Sequence, residues 1–409
     1  MNYILPRVIL GNRGDIASRW GVLRALRLLD VRDVTVYSRS AEDVPSSLYP
    51  AMAYRPVRNL LPGDGHWKRL RAADGVLWAV GLDMQDDSSI AKLMYLWFSF
   101  RLYRQMGLKV WCLFQGAGPL STNTGRWLAR SVLKEVDLFV ARDPGTHALI
   151  NRVSPGIRSI LAHDAIFLPG FEDDLLQITP EEKGYADRVF SGSGGPVIGI
   201  NLRQWFHFVS SILPYQFSQA SYKKRSHEKM AQLIRSGIAL IHLLRRRENA
   251  RIVLLSAYQP NVVPWEDDLP WLAELKREFE GDRDVLLLDE PISMPLYYEV
   301  VSRLDLMIGM RLHSSLISLR FGVPSLNLSY TLKGGDILRH LGLPEYVADL
   351  HKFMEDPEIL FEQVASMLHN SRMERGRVQG AVARAVRTNM DILKSLVEGN
   401  GSGGHVQLR

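Results

Sequence analysis

The segment LDLMIGMRLHSSLISLRFGVPSLNLSY, residues 304–330, decides the fold of this chain. Its pattern predicts a buried strand over residues 304–308, a tight loop over residues 309–313, and a helix that begins at an N-cap of Ser314 or Ser315. A second strand is predicted over residues 325–328, after a Gly and a Pro that end the helix. Strand, loop, helix and strand in this order form the repeating unit of a doubly wound α/β domain.

The loop of this unit carries Arg311 and His313 beside the predicted N-terminus of the helix. Unpaired N–H groups at a helix N-terminus attract anions, and arginine is a permanently charged fork that matches carboxylate and phosphate groups. We therefore predict that this loop, together with Ser314 and Ser315, binds an acidic ligand.

Alternating strands and helices extend outward from this segment in both directions. Because 409 residues exceed one ordinary core, we predict two doubly wound, Rossmann-like domains that face each other across a cleft, followed by C-terminal helices. The predicted bounds are 1–185 for the N-terminal domain, 186–355 for the C-terminal domain, 356–398 for the C-terminal helices and 399–409 for a flexible tail. A linker is predicted within residues 170–195, where an acidic stretch precedes SGSGG.

The N-terminal domain is predicted to begin with a strand at residues 7–10, the loop GNRGD at residues 11–15 and a helix from residue 16. Gly11 and Gly14 do not have the spacing of the dinucleotide fingerprint, which argues against NAD binding. They form either a tight turn or a place where backbone approaches a ligand. Asp143, before Pro144, is predicted to cap a helix, as is Asp86 or Asp87.

The bulk properties restrict the class of protein. The net charge of +6 favours acidic partners, and basic residues are not interleaved with aromatic ones, which argues against nucleic acid. The single cysteine, Cys112, lies in an apolar strand and leaves no internal disulfide framework. No secretory signal pattern begins the chain, and the most apolar helix, near residues 93–100, is too short for a bilayer. We expect a cytoplasmic protein that needs no metal or cofactor, with peripheral association at the inner face of the membrane left open.

Several stretches resemble the polysaccharide pyruvyl transferase family. They are GNRGD at 11–15, QGAGP at 115–119, ARD at 141–143, the region around Asp164, GINLR at 199–203, and the Arg-Leu-His loop with its downstream Gly-Val-Pro within 309–324. The resemblance implies a GT-B-like fold. It also implies transfer of a pyruvyl group from phosphoenolpyruvate to sugar hydroxyls, as a ketal, with release of phosphate.

This donor places specific demands on the residues of the cleft. Phosphoenolpyruvate carries a phosphate and a carboxylate on one small frame, so we predict two cationic subsites, at Arg311 with the helix N-terminus and at Arg203. Histidine titrates near neutral pH, and His313 is the predicted proton carrier. In the simpler structural interpretation, His313 only caps or packs under the helix, and Arg203 pairs with Asp267.

Further contacts to substrate are predicted on both sides of the cleft. The acceptor, a sugar or glycan that is free, polymeric or lipid-linked, is assigned to the N-terminal domain, and the donor to the C-terminal domain. The remaining substrate-binding candidates are Gly11, Asn12, Asp15, Gly116 and Lys333. A carboxylate that orients the acceptor hydroxyl is predicted at Asp15 or Asp83.

Two other functions fit the same sequence. A GT-B glycosyltransferase would hold the diphosphate of a nucleotide sugar at the same helix N-terminus and would need a ribose-binding carboxylate, for which residues 266–268 are candidates. The third function is that of a non-catalytic glycan-binding relative, against which the Arg311–His313 pair argues.

Overall fold

Two parallel β-sheets organise the chain in the computed structural model, which describes residues 2–39, 43–53, 65–87, 89–169, 176–192, 194–204, 219–259, 262, 266–330 and 332–401. Each sheet is flanked by helices and has the strand order of a doubly wound domain. The predicted fold class, with two Rossmann-like domains, is confirmed.

The first sheet belongs to the N-terminal domain. Its strands are β1 (Asn2–Leu5), β2 (Asp33–Ser38), β3 (Ala51–Ala53), β4 (Gly75–Ala79), β5 (Leu82–Met84), β6 (Lys109–Ala117), β7 (Leu138–Ala141) and β8 (Ser159–Leu161). Their order is β3-β2-β1-β4-β6-β7-β8, and β5 pairs with β6. The helices of this half are α1 (Arg13–Leu28), α2 (His66–Ala72), α3 (Ile90–Gln105), α4 (Asn123–Leu133) and α5 (Pro144–Val153).

The second sheet belongs to the C-terminal domain. Its strands are β9 (Val197–Asn201), β10 (Arg251–Leu255), β11 (Val285–Leu288), β12 (Leu306–Gly309), β13 (Ser325–Ser329) and β14 (Val347–Asp349), in the order β11-β10-β9-β12-β13-β14. The remaining helices are α6 (Pro180–Phe190), α7 (Gln219–Glu248), α8 (Leu269–Arg277), α9 (Met294–Ser302), α10 (Leu312–Arg320), α11 (Leu332–Leu341), α12 (Leu350–Glu355), α13 (Pro357–His369) and α14 (Ser371–Gly401).

The strand order reverses once in each sheet, and this point fixes where a ligand can bind. In the first sheet the reversal lies between β1 and β4, and in the second between β9 and β12. In open α/β sheets a crevice forms at the carboxyl ends of the strands beside such a reversal. The loop after β1, the loop after β9 and the Arg-Leu-His segment after β12 therefore all open into the space between the two domains.

Direct contacts hold the two domains together beside this space. The backbone N–H of Arg13 donates to the carbonyl of Ala257 at 3.1 Å, and that of Gln259 donates to the carbonyl of Gly11 at 2.8 Å. The buried Arg13 guanidinium donates to the carbonyl of Ile292 at 3.1 Å, and burial lowers the pKa of Arg13 to about 10. The loop before α1 is therefore joined to the segments that follow β10 and β11.

The first strand differs from the prediction. Its residues are Asn2–Leu5 rather than 7–10, because Pro6 follows Leu5 and has no N–H to donate to a neighbouring strand. Residues 7–10 form the loop that leads to α1. This change matters for the site, because it moves Arg7 from a strand into the crevice.

The region between the domains also differs from the prediction. Residues 180–190 of the predicted linker form α6, which begins with a capping box between Thr179 and Glu182. The predicted boundary between residues 185 and 186 falls inside this helix and stays a prediction. Residues 170–175 and 193 lie outside the described part of the chain.

The C-terminal helices follow the prediction closely. The predicted segment is divided at Asn370, because α13 ends just before this residue and α14 begins just after it. The last helix extends through Gly401, three residues into the predicted tail, and residues 402–409 lie outside the described part. Residues 333–335 belong to the first turns of α11.

Of the two predicted aspartate caps, one is confirmed and one is wrong. Asp143 accepts a hydrogen bond from the backbone N–H of Thr146 at 2.7 Å and caps α5. The helix α3 is capped by Ser89, not by Asp86 or Asp87. The Asp86 carboxylate instead accepts from the backbone N–H groups of Ser121 and Thr122, where it shapes the loop before α4.

A pair of histidines stacks between the domains, close to the site described below. The rings of His163, after β8, and His340, in α11, are 4.2 Å apart at an interplanar angle of 23°. Burial, followed by the neighbouring His340 and Arg384, lowers the pKa of His163 to about 4, and burial also lowers the pKa of His340. Both rings are therefore neutral in the folded protein near neutral pH.

Because both rings are neutral in the folded protein, we expect its stability to fall in mild acid. An unfolded histidine has a pKa of about 6.5, so below that pH the unfolded chain binds protons that folded His163 refuses until about pH 4. The thermal midpoint is therefore expected to fall as the pH drops from 7.5 to 5. The variant His163→Phe/His340→Phe keeps stacked rings without titrating them and should lose less of its midpoint over the same range. If the thermal midpoints of the wild type and the variant fell by the same amount between pH 7.5 and 5, the stacked histidines would not be the cause of the acid sensitivity.

Candidate active site

A cavity of about 360 Å³ lies between the two domains at the carboxyl ends of the strands. Its size is in the range of small-ligand sites. Polar residues dominate its wall. The N-terminal domain contributes Arg7, Asn12, Asp15, Gln85, Lys92 and Arg142, and the C-terminal domain contributes Arg203, Tyr258, Glu266, Arg311, His313, Asn327, Ser329 and Tyr330.

The helix α10 places His313 at the edge of this cavity. It begins at Leu312 with Arg311 as its N-cap residue, so the prediction that Ser314 or Ser315 caps it is wrong. His313 therefore stands in the first turn, and its ring packs against Gly14 at the start of α1. A Cβ atom on Gly14 would lie 2.1 Å from the Cβ of His313. Gly14 thus permits a close approach, but to a side chain of the other domain.

The imidazole of His313 lies between two aspartates of the N-terminal domain. Each aspartate is in turn paired with an arginine of the same domain. Asp15 Oδ1 lies 4.0 Å from Nδ1 of the ring, and Asp164 Oδ2 lies 3.6 Å from Nε2. Arg7 Nη2 donates to Asp15 Oδ2 at 2.9 Å, and Arg142 Nη1 donates to Asp164 Oδ2 at 3.1 Å. We call these five residues the charge chain. The second domain supplies only its central member.

Both carboxylates of the charge chain are held in the ionised state. Burial by itself would raise the pKa of Asp15, but the charges of Arg7 and His313 hold it below its usual range. Burial opposes ionisation of Asp164 in the same way, and the adjacent His313 and Arg142 hold its pKa well below the usual range. An imidazolium formed at His313 therefore has a carboxylate near each ring nitrogen. Nε2 of the ring is buried and makes no hydrogen bond to the described residues.

The guanidinium of Arg311 is tied to two carboxylates. Its Nε donates to Asp268 Oδ2 at 2.8 Å, its Nη1 donates to Glu266 Oε2 at 3.2 Å, and its plane lies 4.3 Å from the centroid of the Tyr258 ring. Burial would lower the pKa of Arg311, but Asp268 and then Glu266 raise it well above the usual range. The prediction that Arg311 binds the donor stays a prediction. The structure adds a second role, the compensation of the buried Asp268 carboxylate.

Arg203 meets Arg311 at the same carboxylate. Its Nη2 donates to Glu266 Oε2 at 3.3 Å and its Nη1 donates to the hydroxyl of Tyr330 at 2.9 Å. The ion pair is therefore with Glu266, not with Asp267. The two arginines predicted to bind the donor lie together on one wall of the cavity, because they follow the carboxyl ends of the neighbouring strands β9 and β12.

The other predicted substrate contacts separate into two groups. Asn12 and Asp15 line the cavity, as do His313, Arg203 and Arg311. Ser314 and Ser315 are buried within α10 and are absent from the cavity wall, since the N-cap lies three or four residues earlier than predicted. Gly11 packs against Val262, and Gly116 lies under Arg142, where a Cβ would be 3.0 Å from Nε. Lys333 falls in α11, and its side chain lies outside the described part of the chain.

Of the two acceptor-orienting candidates, only Asp15 reaches the cavity wall. Asp83 is buried beneath it, where its carboxylate accepts from Arg7 Nε at 2.6 Å and from Trp78 Nε1 at 2.9 Å, and pairs with Lys92 Nζ at 2.8 Å. Asp83 therefore positions Arg7 and Lys92 rather than substrate.

The sequence interpretation missed Arg7 and Arg142. Pro6 gave a signal for Arg7, because a proline after four strand residues places the next side chain in the loop. Arg142 directly follows β7 and precedes the helix cap Asp143, so it stands at a strand carboxyl end like the predicted residues.

The chain matches a known protein family over most of its length. Residues 12–331 match the model of a family described as polysaccharide pyruvyl transferase. The chain belongs to the polysaccharide pyruvyl transferase family. Every member of the charge chain except Arg7 falls within the matched residues, and the resemblance found in the sequence motifs is confirmed. By family, this pyruvyl transferase homologue is a transferase.

One curated relative matches a shorter stretch. Over 99 residues the chain is 33% identical to the amylovoran biosynthesis protein AmsJ of Erwinia amylovora, a match that covers 22% of each protein. The aligned part thus spans about a fifth of that relative's length. The relative's name agrees with a polysaccharide setting for this pyruvyl transferase homologue.

Solved structures with similar folds include a protein bound to UDP-glucose, a UDP-GlcNAc 2-epimerase and a glycosyltransferase. HepE of Anabaena, solved with UDP-glucose, has a TM-score of 0.58 at 10% identity, covering 99% of this chain and 100% of HepE. The UDP-GlcNAc 2-epimerase of Neisseria meningitidis has a TM-score of 0.56 at 11% identity, covering 97% of this chain and 100% of the epimerase. A glycosyltransferase of Rickettsia africae has a TM-score of 0.55 at 12% identity, covering 97% of this chain and 98% of the glycosyltransferase. At these identities the likeness shows the fold alone, a GT-B-like pair of domains.

Proposed function

We propose that this protein transfers the pyruvyl group of phosphoenolpyruvate to two hydroxyls of one sugar in a polysaccharide or its precursor. The products are a pyruvate ketal and phosphate. The observation that carries this proposal is the charge chain, in which His313 of one domain lies between Asp15 and Asp164 of the other, at the edge of an arginine-rich cavity. Membership of the family supports the reaction class.

The proposed reaction needs one group that gives and takes protons repeatedly, and His313 is placed for that role. Protonated His313 gives its proton to the methylene carbon of the donor, which becomes a methyl group, and the adjacent carbon becomes electrophilic. A sugar hydroxyl oxygen bonds to this carbon and returns its proton to His313. The same imidazolium then protonates the bridging oxygen as the bond to phosphate breaks. A second hydroxyl closes the ketal and reprotonates His313.

The residues around His313 explain how these transfers are supported. Asp15 and Asp164 stabilise the imidazolium that forms twice in the cycle, since both carboxylates are ionised. Arginines line both walls of the cavity, and they balance the acidic groups of the donor and the charge that collects on the leaving phosphate. No cofactor enters these steps.

A nucleotide-sugar glycosyltransferase is the weaker candidate. It would need a carboxylate for the ribose hydroxyls, and the candidates were residues 266–268. Glu266 and Asp268 already accept hydrogen bonds from Arg311, and Asp267 accepts from the backbone N–H of Leu269 at the start of α8. Each of the three carboxylates therefore has a structural partner.

The test compares the two donor classes. In a thermal-shift assay, saturating phosphoenolpyruvate should raise the unfolding midpoint, because a ligand at 100 times its Kd stabilises by about 2.7 kcal/mol. UDP-glucose and UDP-GlcNAc should leave it unchanged. With a panel of free, polymeric and lipid-linked glycans, phosphoenolpyruvate should be consumed and inorganic phosphate released. A shift with the UDP-sugars alone would favour the glycosyltransferase instead.

The proposed acceptor is a sugar that is free, polymeric or lipid-linked, and the proposed location is the cytoplasm. Among the residues that the structure describes, none of the helices combines the length and the apolar character needed to cross a bilayer. The same glycan panel tests whether a lipid-linked acceptor is used.

A further inference from the structure

We infer that Asn389, in the last helix of the chain, is a positioning residue for the reaction: it fixes the turn that presents Asp164 to His313. This inference rests on the proposed function for its catalytic consequence. Its structural part concerns three hydrogen bonds that join α14 to the opposite domain.

The turn at residues 163–167 determines where the Asp164 carboxylate points. Asp164 caps a short 3-10 helix, Ala165–Phe167, and its Oδ1 accepts from the backbone N–H of Ile166 at 3.0 Å and from the hydroxyl of Ser18 at 3.1 Å. Its Oδ2 is thereby directed at Arg142 and His313. Any shift of this turn moves the carboxylate relative to the imidazole.

Asn389 binds this turn at both of its ends. Its Oδ1 accepts from the backbone N–H of His163 at 2.9 Å, and its Nδ2 donates to the carbonyl of Asp164 at 3.0 Å and to that of Phe167 at 3.2 Å. The side chain is fully buried. An amide offers an acceptor and two donors in one plane, which this set of three backbone groups requires. Asn389 is thus a clamp on the Asp164 turn.

The clamp comes from a part of the chain that lies outside the family match. Asn389 lies beyond residues 12–331, the part that matches the family. The helix α14 follows the C-terminal domain yet packs against α1 and the 3-10 helix of the N-terminal domain. A helix outside the matched region therefore sets the geometry of a carboxylate inside it, next to an imidazole that the C-terminal domain supplies.

The test is Asn389→Leu, which keeps a similar shape and removes all three bonds. We expect kcat for phosphate release to fall about 10- to 100-fold, as is usual when a residue that orients a catalytic group is lost. The KM for the donor should stay within about threefold, because Asn389 does not reach the cavity. Amide hydrogen exchange in residues 163–168 should become faster than in the wild type. If the Leu variant does not fold, Asn389→Ala leaves room for a water and should show the same changes.

The matched control removes a hydrogen bond that joins the same helix to the C-terminal domain. Tyr346→Phe removes the hydrogen bond from the Tyr346 hydroxyl to Glu374 Oε2 (2.6 Å), between α14 and the C-terminal domain. It should lower the thermal midpoint with little change in kcat or in exchange of residues 163–168. If Asn389→Leu and Tyr346→Phe lost kcat equally, Asn389 would have only a structural role. The same would follow if Asn389→Leu lowered the thermal midpoint but left kcat unchanged. If the wild type releases no phosphate, the proposed function fails, and unchanged exchange would separately overturn the clamp.

Discussion

Replacing His313 by glutamine is expected to lower kcat for phosphate release by about 10²- to 10⁴-fold, the usual contribution of a positioned general acid and base. Glutamine keeps a polar group in the first turn of α10, beside Gly14, but it cannot carry the proton through the cycle. The donor's acidic groups do not depend on that proton, so its affinity measured by calorimetry should change much less than kcat.

Two comparisons make this result specific to the site. The variant His351→Gln changes an exposed histidine on α12 and should retain wild-type kcat. The variant Asp164→Asn keeps the size of a carboxylate beside His313 but removes its charge, so it should lower kcat with a smaller effect on donor affinity. A His313→Gln variant that turns over at close to the wild-type rate would exclude His313 as the proton carrier.

The variant Arg311→Met is expected to destabilise the protein by about 3–5 kcal/mol, the cost of leaving a buried charge without its partner. Asp268 is fully buried, and Arg311 supplies the one cation that bonds it among the described residues. Chemical denaturation measures the loss. The matched control is Arg104→Met, which breaks the exposed pair with Asp137 (2.7 Å) and should cost about 1 kcal/mol or less.

The double variant Arg311→Met/Asp268→Asn separates folding from binding. Removing the buried charge together with its partner should restore most of the lost stability, because the introduced amide oxygen can still accept from the backbone N–H of Ala257, as the Asp268 carboxylate does at 3.2 Å. Donor affinity is then measured on a folded protein. A weakened affinity would support the predicted contact of Arg311 with the donor, and a wild-type affinity would restrict Arg311 to its structural role. A stable single variant would contradict the buried ion pair itself.

The fold was predictable because it depends on local signals. Apolar runs such as that of β10 and β11, and the Gly and Pro that end α10, mark strands and helices within a few residues. The cleft followed from them, since parallel strands bring their carboxyl ends to one edge. Five of the predicted residues line the cavity for this reason.

The partners of those residues were not predictable, because they come from distant parts of the chain. Asp15 meets His313 through the contact of two domains, and no local pattern encodes that pairing. Arg311 pairs with Glu266 and Asp268 inside the C-terminal domain, at sequence separations of 45 and 43 residues that no local pattern spans. The misplaced cap at Ser314 arose differently, because serine is a preferred cap residue but packing of His313 on Gly14 favours an earlier start of the helix.

The division of the charge chain between two domains has a consequence for how the donor is activated. Neither half of the protein contains both the imidazole of His313 and the carboxylates of Asp15 and Asp164 that stabilise its protonated form. Under the proposed function, protonation of phosphoenolpyruvate would depend on the contact between the domains, because stabilisation of the imidazolium by carboxylates falls off with distance. Under the same proposal, the donor would be activated only where the half assigned to the acceptor contacts the half that supplies His313.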